Sequence, residues 1–171
     1  MEVGSPSRTA ILTAIHRAAH FVIDDPPKIL ADSFARALAG FSSDNEFLAA
    51  VDSYAFPDFV AHRASFALRN RYAEDQLAAA VASGTAQYVI LGAGLDSFAY
   101  RCPDALRGLQ IFEVDHPSSQ AWKRARSPSS ASRRRQPSVI FRSILSARRC
   151  PHAWRREGWT AKRMPFFPGS A

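Results

Sequence analysis

The feature that most constrains the fold is a short apolar run followed at once by two glycines, QYVILGAGLD at residues 87–96. A run this short, stopped by glycine, is typical of a strand buried on both faces of a parallel sheet. The glycines allow a sharp turn and let a ligand approach bare backbone. A second apolar run begins about 20 residues later and ends at Glu113, Val114 and Asp115. Strand, glycine turn, helix, strand and acidic end is the order of a nucleotide-binding βαβ unit, whose acidic residue can accept hydrogen bonds from ribose hydroxyls.

The residues after the glycines argue against a dinucleotide ligand. Ser97 stands where a dinucleotide fingerprint has its third glycine, and Asp96 would lie beside a pyrophosphate and repel it. A cationic nucleoside without phosphate suits this turn better, and S-adenosylmethionine has that chemistry. The alternative is a glycine turn in an α/β protein that binds no ligand, because short motifs also occur by chance.

Length and composition predict one globular domain. The chain has 171 residues, of which 47% are hydrophobic, enough for a sizeable core. No apolar run approaches the ~18 residues of a membrane span, and no signal peptide is recognised. Cys102 and Cys150 do not make a disulfide framework or a metal site, so we expect a cytosolic protein. His16 and His20 lie one helical turn apart but have no further ligands nearby in sequence, so we expect packing or surface roles.

The net charge of +7 belongs to the last quarter of the chain. Residues 1–126 contain 12 Lys and Arg against 14 Asp and Glu, whereas residues 127–171 contain 10 against one. The arginines and aromatic residues of this segment could bind single-stranded nucleic acid through charge and stacking. They follow no binding-module pattern, so specific nucleic-acid binding is the least favoured function.

Hydrophobic periodicity predicts three helices in the first half of the chain, over residues 9–22, 29–38 and 58–83. Gly40 and Gly84 are the predicted stops of the last two. Residues 41–57 are mixed and carry no prediction. Further on, a short helix is predicted after Ser97 and another over residues 118–126, with Trp122 as its buried residue.

Two arginines of the third helix, Arg69 and Arg71, cannot face the same way because they are two residues apart. One of them could point towards the ligand while the other is solvated. The alternative is ordinary surface pairing, such as Arg71 with Asp75 one turn later.

Four stretches resemble the leucine carboxyl methyltransferase-like family of class I S-adenosylmethionine-dependent methyltransferases, which has many bacterial members. They are HFVIDDPPKILADSFARALAG, RNRYAEDQL, VILGAGLDSFAYR and FEVDHPSSQAWKRAR. The resemblance covers about residues 9–126. It implies an α/β, Rossmann-like class I methyltransferase fold with an N-terminal helical cap. It also implies S-adenosyl-L-methionine as cofactor and O-methylation of a carboxylate or similar small-molecule or peptide acceptor.

The resemblance assigns cofactor contacts to the glycine turn and to the end of the second strand. Gly92, Ala93 and Gly94 would line the methionine and ribose part of the cofactor. Asp115 would accept hydrogen bonds from the ribose hydroxyls, and His116 beside it would also contact the cofactor.

The remaining assignments implied by the resemblance concern charged side chains. An arginine of the RNRY stretch, Arg69 in preference to Arg71, would pair with the cofactor carboxylate. Asp96 would contact the cofactor directly or through water, or would only cap the next helix. No catalytic residue and no metal ligand is assigned, and the methyl acceptor and the oligomeric state stay open.

Residues 127–171 do not resemble the family and are predicted to form a basic, poorly ordered tail after a domain of residues 1–126. We interpret the change as a truncation or a frameshift after about residue 126. The parallel sheet is then incomplete, with two strands and a third at residues 138–144, and activity is impaired. The alternative is a catalytically inactive remnant that at most binds S-adenosylmethionine.

Overall fold

The computed structural model describes residues 6–54, 58–106 and 108–126, together with the backbone of residues 139–141. The elements, in chain order, are α1 (Arg8–Ile23), α2 (Ala35–Ala39), α3 (Asp44–Val51), α4 (Phe59–Ala82), β1 (Gln87–Leu91), α5 (Phe98–Arg101), β2 (Gln110–Val114), α6 (Pro117–Arg126) and β3 (Val139–Phe141). Helices therefore occupy the first half, and strands alternate with helices in the second. This is the predicted helical cap followed by a βαβ unit.

The three strands form one parallel sheet in the order β1-β2-β3. Val89 lies opposite Phe112, and Phe112 lies opposite Val139. Parallel neighbours joined by helical crossovers are the mark of the doubly wound α/β class. The α/β, Rossmann-like prediction is confirmed, and the backbone of the third predicted strand is present at Val139–Phe141.

The burial predicted for β1 is wrong. Its first four residues are only half-buried, and Leu91 is 68% exposed. By contrast, four of the five residues of β2 are buried. The reason is position, because β2 lies between two strands whereas β1 has β2 as its only strand neighbour among the described residues.

The core consists of two clusters of buried apolar side chains. The first joins the apolar face of α1 to α2 and α3, with Ile15, Leu38 and Phe47 fully buried. The second lies against the sheet and includes Phe98 and Ile111. Burying a side chain of this size contributes roughly 1.5–3 kcal/mol to folding. The first cluster also includes Leu95, so it joins the cap to the turn after β1.

Helix α4 agrees closely with the predicted helix over residues 58–83. It spans 24 residues, begins after Asp58 and ends at Ala82, with Ser83 as its C-cap and then Gly84 with a φ of +96°. A left-handed conformation just after a helix is where glycine is favoured. Neither α4 nor any other helix among the described residues is long and apolar enough to cross a membrane.

Helix α2 is shorter than predicted. It begins at Ala35 rather than near residue 29, although it ends before Gly40 (φ +108°) as expected. The Asp32 carboxylate accepts hydrogen bonds from the backbone N–H groups of Phe34 and Ala35, at 3.2 and 3.0 Å. An acceptor at this position stabilises the start of a helix, so the chain becomes helical only after Asp32.

Helix α3 carries no prediction from the sequence. Its N-cap Ser43 accepts from Glu46 N at 3.1 Å, and the Glu46 carboxylate accepts from Ser42 N at 2.7 Å. A serine followed three residues later by glutamate is a known signal for a helix start, and it stands in the sequence.

The buried residue predicted for α6 is also different. Lys123 is 1% exposed, whereas Trp122 is half-buried and donates its indole N–H to Leu38 O at 3.0 Å. Lys123 can be buried because its ammonium contacts Glu113 Oε1 at 2.6 Å. A buried partner charge on β2 therefore reverses the expectation from hydrophobicity.

Candidate functional site

The glycine turn after β1 is bound to the end of β2. Gly92 N and Ala93 N donate to Val114 O at 2.8 and 3.1 Å, and Gly94 N donates to Asp115 Oδ2. The φ angles of Gly92 and Gly94 are +64° and +49°, a region that favours glycine. The turn and the carboxylate that the sequence predicts as a pair are therefore in direct contact.

Side chains at the two glycines would meet different surroundings. A Cβ on Gly94 would lie 3.1 Å from the Cβ of Ala10, tighter than normal packing allows, whereas a Cβ on Gly92 would meet no atom within 4 Å. Gly94 thus permits α1 to pack closely on the turn. Gly92 leaves bare backbone facing open space, which is where a ligand can approach.

A cavity of about 690 Å³ lies over this turn. Six residues predicted to bind a cofactor line it: Arg69, Gly92, Ala93, Gly94, Asp96 and Asp115. Cavities that enclose a drug-sized ligand have volumes of roughly 300–1,000 Å³. The structure therefore brings these six residues together around a space of suitable size.

The other two predicted site residues do not line this cavity. Arg71 is exposed and pairs with Asp75, with Nε and Oδ1 2.9 Å apart, as the surface-pairing alternative predicts. His116 is exposed, and its Nδ1 lies 2.7 Å from Ser118 Oγ. Neither residue lines the cavity, and a contact of Arg71 or His116 with the cofactor stays a prediction.

Asp96 caps the next helix, as one of the alternatives predicts, and its contact with a cofactor stays a prediction. Its Oδ1 accepts from Phe98 N at 2.8 Å, at the start of α5, and the residue also lines the cavity. A carboxylate held by a backbone N–H at a helix start keeps its charge in place. Asp96 thus holds a fixed negative charge beside the turn, in addition to Asp115.

One wall of the cavity comes from the beginning of α1, which the sequence does not predict. This wall consists of Ser7, Thr9, Ala10, Thr13 and Arg17. Thr9, Thr13 and Arg17 are four positions apart, so they share one helix face. Packing of α1 on the glycine turn therefore supplies hydroxyl groups to the cavity.

Aromatic rings form another part of the lining: Phe66, Tyr72, Tyr88 and Phe98. The rings of Tyr88 and Phe98 meet edge to face, with centroids 5.7 Å apart. Burial, followed by the charges of Asp96 and Glu74, raises the pKa of Tyr88 to about 12. Its phenol therefore stays neutral at physiological pH and can donate or accept a hydrogen bond.

Four charged residues near the cavity are missing from the sequence predictions: Arg17, Asp32, Glu74 and Arg101. Arg17 lies within the buried face of α1, between Ala14 and Ala18, and is itself 4% exposed. A charge on an apolar helix face is a signal in the sequence, because such a residue is seldom buried without a partner. The partner of Arg17 is Asp32, 15 residues later in the chain, and hydrophobic periodicity does not predict this pairing.

Comparison with known proteins agrees with this arrangement. The sequence pattern of the family described as leucine carboxyl methyltransferase matches residues 10–162. A Bacillus subtilis protein named "Putative S-adenosyl-L-methionine-dependent methyltransferase YktD" is 50% identical over 56 residues, covering 33% of this chain and 18% of the relative. Two mycobacterial proteins bear the same descriptive name. The Mycobacterium tuberculosis protein is 34% identical over 92% of this chain and 53% of its own length, and the Mycobacteroides abscessus protein is 32% identical over 99% and 60%.

The chain spans about half the length of the two mycobacterial relatives. The family match includes residues 127–162, which are predicted above to form a tail outside the family, and the boundary at residue 126 stays a prediction. These residues lie outside the described part of the chain, apart from the backbone of residues 139–141. Since the match takes in most of its residues, the chain belongs to the leucine carboxyl methyltransferase family.

Proposed function

We propose that the cavity binds S-adenosyl-L-methionine and that the chain acts in methyl transfer. The observation that carries the proposal is the contact between Gly94 N and the Asp115 carboxylate inside a cavity of about 690 Å³. The names of the relatives support the same cofactor. The glycine turn lets a ligand lie against the backbone, and Asp115 at the end of β2 can accept hydrogen bonds from ribose hydroxyls.

The residues present fit each part of this cofactor. Asp115 accepts hydrogen bonds from two backbone N–H groups, of Gly94 and His116, and a carboxylate has about four acceptor positions, so it can also accept from ribose hydroxyls. Arg69 lines the cavity and is the candidate partner for the cofactor carboxylate. Aromatic rings can pack against adenine.

Charge favours this cofactor over a dinucleotide. Asp96 and Asp115 both line the cavity at the glycine turn, and a pyrophosphate bound at this turn would be repelled by them, although Arg17 and Arg69 also line the cavity. Ser97, which replaces the third glycine of a dinucleotide fingerprint, is fully buried and hydrogen-bonded. A sulfonium and an ammonium would instead be attracted to the two carboxylates.

The proposed reaction is O-methylation of a carboxylate of a small molecule or a peptide. When bound, S-adenosylmethionine supplies an activated methyl group on sulfur. The residues of the chain then have to bind the cofactor and the acceptor, orient them towards each other and exclude water. No base is needed, because a carboxylate acceptor has no proton to remove. The choice of a carboxylate acceptor rests on the family to which the chain belongs.

Calorimetric titration with S-adenosylmethionine and S-adenosylhomocysteine tests the binding proposal. We expect micromolar affinity, weakened about tenfold or more by Asp115→Ala because a hydrogen bond to a charged group is lost. Arg69→Ala is expected to weaken binding of the same ligands and to leave 5′-methylthioadenosine, which has no carboxylate, unaffected.

The matched control is Asp75→Ala, which removes an exposed aspartate that pairs with Arg71 outside the cavity. It should leave affinity unchanged, and NAD should not compete. Equal affinity for wild type and Asp115→Ala would overturn the proposal.

Transfer of a labelled methyl group separates an active enzyme from the inactive-remnant alternative. The chain spans about half the length of the mycobacterial relatives. Binding of S-adenosylmethionine without transfer of its methyl group favours the inactive remnant. Turnover with a carboxylate-containing acceptor, absent after esterification of that carboxylate, favours the enzyme.

A further inference from the structure

Asp32 is a buried carboxylate in the helical cap whose two oxygens contact different parts of the fold. The residue is 1% exposed. Its Oδ1 accepts from the backbone N–H groups of Phe34 and Ala35 at the start of α2. Its Oδ2 accepts from Arg17 Nε at 2.9 Å and from Ser97 Oγ at 2.6 Å. One oxygen therefore caps a helix, and the other reaches the segment that follows the glycine turn.

Arg17 extends this contact to the turn itself. Its Nη2 donates to Leu95 O at 2.6 Å, while its Nε is held by Asp32. Arg17 is 4% exposed and lines the cavity. A guanidinium with two of its donors fixed by protein groups has few ways to move. The carbonyl of Leu95 and the hydroxyl of Ser97 are thus both anchored to one carboxylate more than 60 residues earlier in the chain.

A second arginine connects the same place to α4. Arg101 Nε donates to Ser97 Oγ at 2.9 Å and lies 3.7 Å from Asp32 Oδ1. The other end of the Arg101 guanidinium forms a bidentate contact with the Glu74 carboxylate. Bidentate arginine–carboxylate pairs fix orientation as well as distance. Ser97 is therefore held from the cap and from α4 at once.

We propose that Asp32 is a positioning residue, which through Arg17 and Ser97 holds residues 94–97 in the shape that ligand binding requires; this inference rests on the function proposed above. Gly94 and Asp96 line the cavity within this segment. Asp32 does not line the cavity, so its effect on a ligand is transmitted by the two side chains that it holds. Misplacement of binding groups by about 1 Å is enough to lower activity markedly.

The charge state of Asp32 supports this role. Burial by itself raises the pKa of Asp32, but the guanidinium groups of Arg17 and Arg101 and the hydroxyl of Ser97 together bring it below its ordinary value. The carboxylate is therefore ionised throughout the physiological range. An ionised acceptor makes stronger hydrogen bonds than a neutral one, which suits a group that anchors a turn.

The test is Asp32→Asn, because asparagine can keep one oxygen for the start of α2 and replaces the other by an NH₂ group that cannot accept from Arg17 or Ser97. We expect the Kd for S-adenosylhomocysteine to rise about tenfold or more. This ligand has no net charge, so removal of one carboxylate charge has little direct effect on it.

The matched control is Leu38→Ala. Leu38 is fully buried in the same helical cap, on α2, and its side chain packs in the apolar cluster. Leu95 belongs to the same apolar cluster, but the Leu38 side chain makes no hydrogen bond or ion pair, so its truncation destabilises the cap and leaves the polar contacts to residues 94–97 in place. At a temperature where both variants are folded, we expect Leu38→Ala to bind with wild-type affinity. An equal loss of affinity in both variants would overturn the proposal, because general destabilisation of the cap would then explain it.

Two further measurements keep the proposal falsifiable if Asp32→Asn does not fold or if the ligand does not bind. Ser97→Ala removes one of the two links, and its affinity loss should be smaller than that of Asp32→Asn and not additive with it. Amide hydrogen exchange of the ligand-free protein should accelerate in residues 92–98 in either Asp32→Asn or Ser97→Ala, but not in Leu38→Ala.

Unchanged exchange in Asp32→Asn and Ser97→Ala would overturn the positioning role. Altered exchange without ligand binding by the wild type would instead overturn the proposed function alone. The two failures are therefore distinguishable.

Discussion

Asp32 and Glu113 are both almost fully buried carboxylates, but they are held in opposite ways. Asp32 accepts from two side chains and two backbone N–H groups, and Arg101 lies close by. Among the described residues, Glu113 has one charged partner, Lys123, at 2.6 Å. Burial raises the pKa of Glu113 and the attraction of Lys123 does not fully offset this, so its pKa stays above the ordinary value. For Asp32 the net shift is downward.

The difference teaches that one ion pair does not make a buried charge favourable: the charges of two arginines, with added hydrogen bonds, lower the pKa of Asp32, whereas Lys123 alone does not offset the burial of Glu113. Removing a carboxylate from water costs several kcal/mol, and a single counter-charge often fails to restore it. Several hydrogen bonds to the ionised form do restore it. The carboxylate with many donors contacts the segment beside the cavity, whereas the one with a single charged partner joins β2 to α6.

The largest expected effect comes from replacing the Asp32 pair by apolar residues. Asp32→Leu combined with Arg17→Met leaves Leu95 O and Phe34 N without these partners and the Ser97 hydroxyl without its acceptor, whereas Ala35 N keeps the backbone carbonyl of residue 32 at 3.4 Å. At roughly 1–3 kcal/mol for each of the three groups that lose a partner, we expect the free energy of unfolding to fall by at least about 3 kcal/mol. Urea denaturation measures the free energy of unfolding. A decrease of less than about 1 kcal/mol would contradict the proposed difference between the Asp32 and Glu113 clusters.

The corresponding replacement at the other pair is expected to have a much smaller effect. Glu113→Leu with Lys123→Met removes both charges and leaves fewer groups without partners. We expect stability within about 1 kcal/mol of the wild type, or above it, as found for other buried pairs replaced by apolar residues. A loss as large as that of the Asp32 and Arg17 variant, in the same denaturation experiment, would show that the two clusters are equivalent.

The pH dependence of stability should have opposite signs at the two carboxylates. Asp32 has a lowered pKa, so its contribution is full above about pH 4, the ordinary aspartate value, and is lost as the pH falls through its own pKa. The stability gap between wild type and Asp32→Asn should therefore narrow in acid.

Glu113 has a raised pKa, so its ionisation disfavours the folded state. Stability is lost as the pH rises from 4.5 through the raised value. Relative to Glu113→Gln, the wild type should lose stability over this interval. Thermal midpoints of the three proteins between pH 3 and pH 8 measure both signs, and equal signs would contradict the assigned shifts.

The smallest effect is expected at an exposed pair. Arg71→Ala removes the contact with Asp75 on the surface of α4. Exposed pairs of this kind contribute little because water and salt screen them. We expect no measurable change in thermal midpoint or in affinity for S-adenosylhomocysteine. A loss of affinity would support a contact between Arg71 and the cofactor.

Local patterns explain the parts of the fold and the site that could be predicted. The helix over α4, the stop at Gly40 and the turn between β1 and α5 follow from periodicity, glycine and an apolar run. The approach of Gly94 to Asp115 follows from the rule that the ends of neighbouring parallel strands lie at the same edge of a sheet.

The errors concern the surroundings of single residues. Lys123 is buried because its partner lies on β2, and β1 is half-buried because it has one strand neighbour among the described residues. Helix α2 begins after Asp32 because the Asp32 carboxylate accepts hydrogen bonds from Phe34 N and Ala35 N. In each case hydrophobic periodicity does not predict the contact that decides the outcome.

By itself, the sequence determined the order of helices and strands in the βαβ unit, the glycine turn, and six of the residues that line the cavity. The glycine turn and the approach of Asp115 depend on neighbours a few positions apart and on a strand-end rule, whereas the assignments of Arg69 and Asp96 came from the family resemblance. The tertiary structure alone decided that α1 closes one wall of the cavity and that Asp32 anchors the turn. Asp32 and Ser97 are 65 residues apart, and their contact arises only when the cap packs on the sheet, because burial then makes each donor find an acceptor.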